Sequence, residues 1–140
     1  MPARILIGFA ESLAAIEVAA SLQKGGYQVY AFARERSLTA FANSRLSDGM
    51  EKVIAPEDDI DACLVEMEII WEKLGRPSLF PLDDISLWPV NQLAETAKSK
   101  IIGAADDLSA LALDKGRQLE YAAQAGFSVL ETFTKKLDEV

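Results

Sequence analysis

The sequence predicts a three-layer α/β/α domain of Rossmann-like type with a mostly parallel sheet. Three observations indicate it. Short apolar runs rich in β-branched or aromatic residues recur along the chain, segments of about 10 to 20 residues with helical periodicity separate them, and 140 residues suit a single domain of this kind. Because parallel strands need a long crossover connection, strands alternating with helices predict parallel pairing, with helices covering both sheet faces.

The predicted strands are 4–9, 27–33, 52–55, 78–82, 100–103 and 127–133, of which 4–9 (RILIGF) is typical of a strand buried on both faces. The predicted helices are 11–24, 56–74, 85–98, 106–112 and 114–125. Gly25, Gly75 and Gly126 are expected to end three of these helices, because glycine adopts the left-handed C-cap conformation without a Cβ clash. Residues 34–50 are polar and irregular, with a short helix predicted around 38–43.

The helix predicted over 56–74 has the clearest periodicity. Its apolar residues recur at intervals of three and four: Ile60, Cys63, Leu64, Met67, Ile70, Trp71 and Leu74. Pro56 suits the start of a helix, and the acidic residues 57–59 suit its first turn, where they complement the helix dipole. Cys63 lies within the apolar stripe and is interpreted as a packed hydrophobic residue rather than a reactive thiol.

Composition excludes several functional classes. The chain has 14 basic and 22 acidic residues, a net charge of −8, which argues against partners such as nucleic acid or an anionic membrane surface. Histidine is absent and Cys63 is the only cysteine, so histidine-based catalysis, disulfides and histidine or cysteine metal sites are excluded, and no metal ligands are assigned. Neither a membrane-length apolar run nor a secretory signal is found, and a cytoplasmic protein is expected.

The turn after the first strand is where a doubly wound domain would hold a phosphate. Here residues 8–12 read GFAES, with one glycine instead of three. Phe9 and Ala10 carry side chains where a dinucleotide fingerprint needs bare backbone, and Glu11 would repel a pyrophosphate. The pattern therefore disfavours nicotinamide-dinucleotide binding, and Gly8 is interpreted as a glycine that eases helix–sheet packing.

Two further groups of charged residues are candidate binding residues. Asp83 and Asp84 directly follow the fourth predicted strand, where they could cap the next helix or contact a ligand. Residues 1–47 contain five basic and three acidic residues, a net +2, whereas residues 48–140 carry −10. Arg34, Arg36 and Arg45 lie in the positive part and could bind an anionic group or simply be solvated. The sequence leaves both questions open.

The segment LALDKGR, residues 111–117, places cations at a helix start. Asp114 is a natural N-cap, so Lys115 and Arg117 fall in the first turn, where the positive end of the helix dipole disfavours them. An anion bound at this helix end would make the two cations favourable there, because free N–H groups and an ammonium would both contact the anion. We therefore interpret this turn as a candidate phosphate contact, with solvent-exposed side chains as the alternative.

Six segments of the chain match the pattern of a known family: RILIGF, AASLQKGGYQVYAFAR, SLFPLDD, KIIGA, DDLSALALDKGRQLEYAAQAG and FSVLET. They resemble the N-terminal, pre-ATP-grasp region of ATP-grasp carboxylate–amine ligases. Together they span essentially the whole chain, and the unit from Asp114-Lys115 to Gly126 is the most specific. The resemblance implies a Rossmann-like pre-ATP-grasp domain over 1–105 and the start of the ATP-grasp region over 106–140.

What the resemblance implies about function is concrete. The parent enzyme would join a carboxylate to an amine through an acyl phosphate, using ATP and Mg²⁺. Lys115 and Arg117 would contact the ATP phosphates, and the possible substrate residues are Glu11, Ser12, Asp83 and Asp84.

The chain ends shortly after the Asp114-Lys115 helix. We therefore expect it to contain no catalytic residue, to bind no cofactor tightly and to be inactive alone, with the remaining ATP-grasp domain as its partner. Alternatives are a stand-alone Rossmann-like binding or interaction module without catalysis, and a domain that binds another nucleotide. The substrate's identity and the formation of a homodimer are left open.

Overall fold

The structure, a computed structural model, describes residues 2–93 and 95–130. The strands are β1 (Arg4–Gly8), β2 (Gln28–Arg34), β3 (Gly49–Val53) and β4 (Ser78–Pro81). The helices are α1 (Ala15–Lys24), α2 (Ile60–Lys73), α3 (Asp84–Gln92), α4 (Glu95–Lys98), α5 (Asp107–Leu113) and α6 (Lys115–Gln124), with a 3₁₀ helix at Ala40–Asn43.

The four strands form one parallel sheet in the order β3-β2-β1-β4, which confirms the predicted α/β fold class. The chain proceeds outward from β1 to β3 and then returns past β1 to add β4. Since crossovers are right-handed, this reversal places α1 on one face of the sheet and α2 on the other. The carboxyl ends of β1 and β4 therefore flank the point where the strand order reverses, the usual ligand position in such sheets.

Two buried clusters, one on each face, hold the layers together. Alternate residues of each strand contribute to opposite faces, as the period of two requires. One cluster joins the sheet to α2, α3 and α4 through Leu6, Phe32, Val53, Met67, Trp71, Leu79, Val90 and Ala97. The other joins it to α1 and the 3₁₀ helix through Ile5, Ile7, Ala15, Ala19, Val29, Ala31 and Phe41. The three-layer arrangement follows directly from this alternation.

Cys63 lies in the first cluster with no solvent exposure, as the apolar stripe predicts. Its Sγ is 3.7 Å from the Sδ atom of Met67. Burial raises the pKa of the Cys63 thiol to about 11, and the charges of Glu66 and Glu57 add to this effect. The side chain is therefore a neutral, packed thiol at physiological pH.

Two helices begin later than predicted. The helix predicted from residue 11 begins at Ala15, because residues 10–14 form turns in which Ser12 Oγ accepts a hydrogen bond from Ala14 N. The helix predicted from residue 56 begins at Ile60: residues 56–58 form a turn, and the Asp59 carboxylate caps the helix by accepting from Ala62 N at 3.0 Å. A side-chain cap thus marks the start of α2, whereas α1 has no side-chain cap and begins where the preceding turns end.

The third strand was predicted over 52–55 but spans Gly49–Val53. Gly49 pairs with Tyr30, and a Cβ at Gly49 would lie 3.0 Å from the Tyr30 ring, so this start favours glycine. The helix predicted over 85–98 is split, because the backbone of Leu93 is extended and ends α3. Pro89 also lies inside α3, where it cannot donate the usual helical hydrogen bond.

The last two predicted strands differ most from the structure. The strand predicted over 100–103 is reduced to a single parallel bridge between Ile101 and Leu79. Of the strand predicted over 127–133, residues 127–130 are exposed and have no strand structure, and 131–133 lie outside the described residues. Neither segment has the continuous buried neighbours that hold β1 and β2 in place. Among the described helices, none is long and apolar enough to cross a membrane.

The side chain of Trp71 fills the core between α2 and the sheet, with 1 % of its surface exposed. Its Nε1 donates to Pro77 O at 2.8 Å. We predict that Trp71→Ala lowers the free energy of unfolding by about 3–5 kcal/mol, through lost burial and an unfilled cavity. Trp71→Phe should cost less, since it mainly leaves the Pro77 carbonyl unpaired, about 1–3 kcal/mol.

Urea denaturation monitored by circular dichroism measures both changes. The half-exposed Trp88 in α3 provides the control, and Trp88→Ala should cost clearly less than Trp71→Ala. Equal losses at the two positions would contradict the assignment of Trp71 to the core.

Candidate functional site

Arg34, the last residue of β2, joins the loops that follow three strands. Its Nη2 and Nε donate to the Glu57 carboxylate at 2.7 and 3.1 Å, across to the loop after β3. Its backbone N–H donates to Glu11 Oε1 in the β1–α1 loop at 2.7 Å, and its Nη1 lies 4.0 Å from the same oxygen. One residue thus fixes the relative positions of the segments at the carboxyl edge of the sheet.

The ring of Phe9 packs against the guanidinium of Arg34, and the ring of Phe32 packs against Phe9. Its Cζ lies 4.8 Å from the centroid of the Phe9 ring, and Phe9 meets Phe32 edge to face with centroids 5.0 Å apart. Phe9 is buried, and a Cβ on Gly8 would overlap the Phe32 ring. Gly8 is therefore required for close contact with the side chain of a neighbouring strand, a different role from the helix–sheet packing predicted from the sequence.

The charges at this edge shift two pKa values in opposite directions. The hydrogen bonds to Glu57 raise the pKa of Arg34, against a partial opposing effect of burial, and the charges of Glu57, Glu11 and Asp83 raise it further. The same hydrogen bonds lower the pKa of Glu57. The guanidinium is thus surrounded by carboxylates, so this environment opposes binding of an anion by Arg34. Arg36 and Arg45 are exposed.

Glu11 uses only one of its two carboxylate oxygens within the described part of the chain. Oε1 accepts from the backbone of Arg34, whereas Oε2 is buried and has no hydrogen-bond partner there. An unpaired buried acceptor is costly, because the oxygen has lost water without gaining a donor. Nearby, Thr39 Oγ1 donates to Ala10 O at 2.7 Å and ties the β1–α1 loop to the segment after β2.

Asp83 caps α3 in a reciprocal arrangement with Ser86. The Asp83 carboxylate accepts from Ser86 N at 2.9 Å, while Ser86 Oγ accepts from Asp83 N at 3.1 Å, so the capping interpretation is confirmed for this residue. Asp84 lies exposed in the first turn of α3. The structure places Glu11, Ser12, Asp83 and Asp84 at one edge, after the adjacent strands β1 and β4. Their contact with a substrate stays a prediction.

Lys115 and Arg117 lie at the start of α6, with the predicted cap in place: Asp114 Oδ1 accepts from Arg117 N at 3.0 Å. Both cations are exposed. Among residues 2–93 and 95–130, no hydrogen bond or ion pair joins either side chain to Glu11, Ser12, Asp83 or Asp84. The structure therefore forms two separate groups, an acidic edge and a cationic helix start, and the phosphate contact stays a prediction.

The residues present do not build a metal site in the described part of the chain, where no group of three or more acidic, cysteine or histidine side chains could hold an ion.

Comparison of the chain with family models and with curated proteins finds no match. The fold and the geometry of its polar groups therefore carry the functional argument.

Sequence reasoning missed the Arg34–Glu57 pair and the hydrogen bond from Thr39 Oγ1 to Ala10 O. Glu57 was interpreted as part of a helix first turn, and no spacing rule connects residues 23 positions apart. The available signal was positional: Arg34 ends one strand and Glu57 follows the next, and the carboxyl ends of parallel strands meet at one edge.

The lowered pKa of Glu57 predicts a pH-dependent contribution to stability. A carboxylate with a lowered pKa in the folded state stabilises above its ordinary value of 4.5, and this stabilisation is lost as pH falls through the folded value. Because the Glu57 side chain is more than half exposed, we expect Glu57→Gln to cost only about 0.5–1 kcal/mol at pH 7.

Thermal unfolding of the wild type and of Glu57→Gln between pH 2 and pH 7 measures this dependence, with the difference expected to vanish at the acidic end. Glu68→Gln, at an exposed position of α2, is the control and should be nearly neutral throughout. A difference that persists unchanged at pH 2 would show that the pair does not act electrostatically.

Proposed function

We propose that the chain is the N-terminal part of an ATP-dependent carboxylate–amine ligase of the ATP-grasp type that works in the cytoplasm. The observation that carries the proposal is the start of α6, where Lys115 follows the capping Asp114 and has no hydrogen bond or ion pair among the described residues. The Asp114 carboxylate accepts from Arg117 N at this helix start. The helix dipole, the other first-turn amides and the Lys115 ammonium all favour a phosphate beside it.

The position of α6 in the fold also supports the proposal. α6 contacts α5, and none of its residues is buried, unlike the helices that cover the sheet. The start of α6 is therefore accessible to a nucleotide. In this proposal a second lobe covers the bound nucleotide. In this proposal residues 1–105 supply the Rossmann-like support and residues 106–140 begin the nucleotide-binding part.

The acidic edge is the proposed substrate side. Glu11, Ser12, Asp83 and Asp84 follow β1 and β4 at the reversal of strand order, where α/β domains bind ligands. In the proposed reaction ATP supplies the phosphoryl group that activates the carboxylate, Mg²⁺ neutralises phosphate charge, and an amine displaces phosphate to form an amide bond. The described residues would bind and orient the substrates, which lowers the entropic part of the barrier.

The isolated chain is expected to be inactive. The rest of the ATP-grasp domain and the ligands for Mg²⁺ are expected from a partner segment. The 140-residue chain alone should therefore bind ATP weakly and form no product. Micromolar Mg-ATP affinity in calorimetry, together with no ligase activity in any longer chain, would instead favour a stand-alone Rossmann-like binding module.

We predict that Lys115→Ala in the full ligase raises the KM for ATP or lowers kcat, about tenfold in kcat/KM. A charge-assisted hydrogen bond to phosphate contributes about 1.5–3 kcal/mol, and 1.4 kcal/mol corresponds to tenfold. ADP release measures the rate, and hydroxylamine trapping of an activated carboxylate identifies the reaction.

Lys24→Ala, which removes another cation from the last turn of α1, is the matched control and should leave the kinetics unchanged. Because Lys115 is exposed, the midpoint of thermal unfolding should not change. Unchanged kinetics in Lys115→Ala would reduce Lys115 to an ordinary surface residue and remove the main support for the proposal.

A further inference from the structure

The helices α5 and α6 are attached to the rest of the molecule by few contacts. Together they form the α5–α6 arm, residues 107–124, in which Ser109 is the one buried residue. Leu108 is 65 % exposed and Tyr121 is 53 % exposed. α5 contacts α3, and α6 contacts α5. A unit with so little buried apolar surface has a low local stability, so it can separate from the domain while the sheet stays folded.

The space between the arm and α3 is incompletely filled. A cavity of about 350 Å³ lies between them. Trp88 and Gln92 line it from α3, and Ala110 and Leu113 line it from α5. Side chains that face a cavity rather than a neighbouring side chain make no dispersion contacts across it. Apolar packing therefore contributes little to the position of α5, which depends on polar contacts instead.

The side chain of Asn91 in α3 supplies the hydrogen bonds that join the arm and the connection before it to earlier described residues. Its Oδ1 accepts from Asp106 N at 3.1 Å, and its Nδ2 donates to Ala104 O at 3.4 Å. Nδ2 also donates to Leu87 O, within α3, at 2.9 Å. Asn91 is only 7 % exposed, so water cannot readily replace these partners and a lost bond would leave a buried polar group unpaired.

The connection that Asn91 holds, residues 103–106, has an unusual backbone. Asp106 has φ +51° and ψ −126°, a conformation that glycine adopts easily and other residues rarely adopt. Such a conformation persists only where surrounding contacts fix it. Here Asn91 holds Asp106 N, and Asp106 O accepts from Ser109 Oγ at 2.7 Å. Gly103 has φ +129°, and a Cβ there would meet no atom within 4 Å, so the chain has room to turn.

An ion pair at the same connection is weaker. Lys98 Nζ lies 3.7 Å from Asp106 Oδ1, and the Asp106 side chain is 67 % exposed. An exposed pair of this kind contributes little to stability. Asn91 is therefore the main polar contact that keeps Asp106 and the first turn of α5 in position.

We propose that Asn91 is the latch of a hinged arm. It fixes the position of α5 and α6, and residues 103–106 are the hinge about which the arm moves when the latch opens. Once Asn91 releases Asp106 N, Asp106 can relax to an ordinary backbone conformation, and this redirects the helix that begins at the next residue. Lys115 and Arg117 then move relative to the acidic edge of the sheet. Asn91 is thus a positioning residue, and this inference does not rest on the proposed ligase function.

Native-state hydrogen exchange of the 140-residue chain tests whether the arm opens by itself. We expect the amides of residues 110–113 in α5 to exchange at least about a hundredfold faster than those of residues 5–7 in β1, which open only with the whole domain. Exchange in α5 should also change little in low urea, because opening of the arm exposes little surface. Equal rates in α5 and β1 would overturn the inference, because the arm would then open only by global unfolding.

The variant Asn91→Ala removes the latch. We expect exchange at residues 110–113 to accelerate about tenfold relative to exchange at residues 5–7, the effect of losing one to two hydrogen bonds. Gln92→Ala, the matched control, removes the neighbouring exposed amide of α3 and should leave both rates unchanged. An equal acceleration in α5 and β1 would make Asn91 an ordinary core residue and overturn the inference, and so would no acceleration in α5.

A distance measurement detects the movement itself. Nitroxide labels on Glu68→Cys in α2 and Glu120→Cys in α6 occupy exposed positions, whereas Cys63 is a buried, neutral thiol that should not take the label. Double electron–electron resonance should give one main distance in the wild-type background and in Gln92→Ala. Asn91→Ala should give a wider or shifted distribution. An identical distribution in all three backgrounds would overturn the hinge.

Two outcomes keep this inference separate from the others. If Asn91→Ala does not fold, the exchange pattern of the wild type alone decides it. The ligase proposal is judged by the kinetics of Lys115→Ala, so a rigid arm with impaired Lys115→Ala kinetics rejects only the hinge. A moving arm with unchanged kinetics rejects only the ligase.

Discussion

The guanidinium of Arg34 holds the loops after β1, β2 and β3 in one arrangement, and the chemistry of the carboxyl edge depends on it. Its bonds to Glu57 bring in the loop before α2, and its backbone N–H fixes the Glu11 carboxylate. The ring of Phe9 lies beneath it. Without this cation, the Glu11 and Glu57 carboxylates would both lose the positive charge that lies beside them.

The aromatic packing under Arg34 explains why this edge differs from a dinucleotide site. Phe9 and Phe32 fill the space next to β1, and the backbone of Gly8 lies directly against Phe32. The loop after β1 therefore has side chains turned inward, where a phosphate-binding loop would present bare amides. The polar groups at the edge include carboxylates, the hydroxyls of Ser12, Thr39 and Ser86, and the guanidinium of Arg34 paired with Glu57. An edge of this composition favours ligands with donors and positive charge over phosphates.

Sequence patterns predicted the parts of the fold that depend on local repetition. β1 and β2 follow from short apolar runs and α2 from an apolar spacing of three and four, and the parallel sheet follows from the alternation of strands and helices. Boundaries set by contacts between distant residues could not be obtained in this way. At the early start of β3, Gly49 pairs with Tyr30 of the neighbouring strand. The late start of α1 has a local cause, the turns formed by residues 10–14, which the helical spacing does not reveal. The candidate site followed the same rule: the caps at Asp83 and Asp114 were predictable, whereas the Arg34–Glu57 pair required the tertiary structure.

The single bridge between Leu79 and Ile101 has a consequence for how the molecule meets its neighbours. Leu79 donates to Lys100 O and accepts from Ile102 N, so the middle of β4 has its outward backbone groups occupied. An open strand margin invites other polypeptides to add to it, and even a short covering segment removes that template. The short segment around Ile101 thus occupies both outward backbone groups of Leu79, so another polypeptide cannot pair with the sheet at that residue.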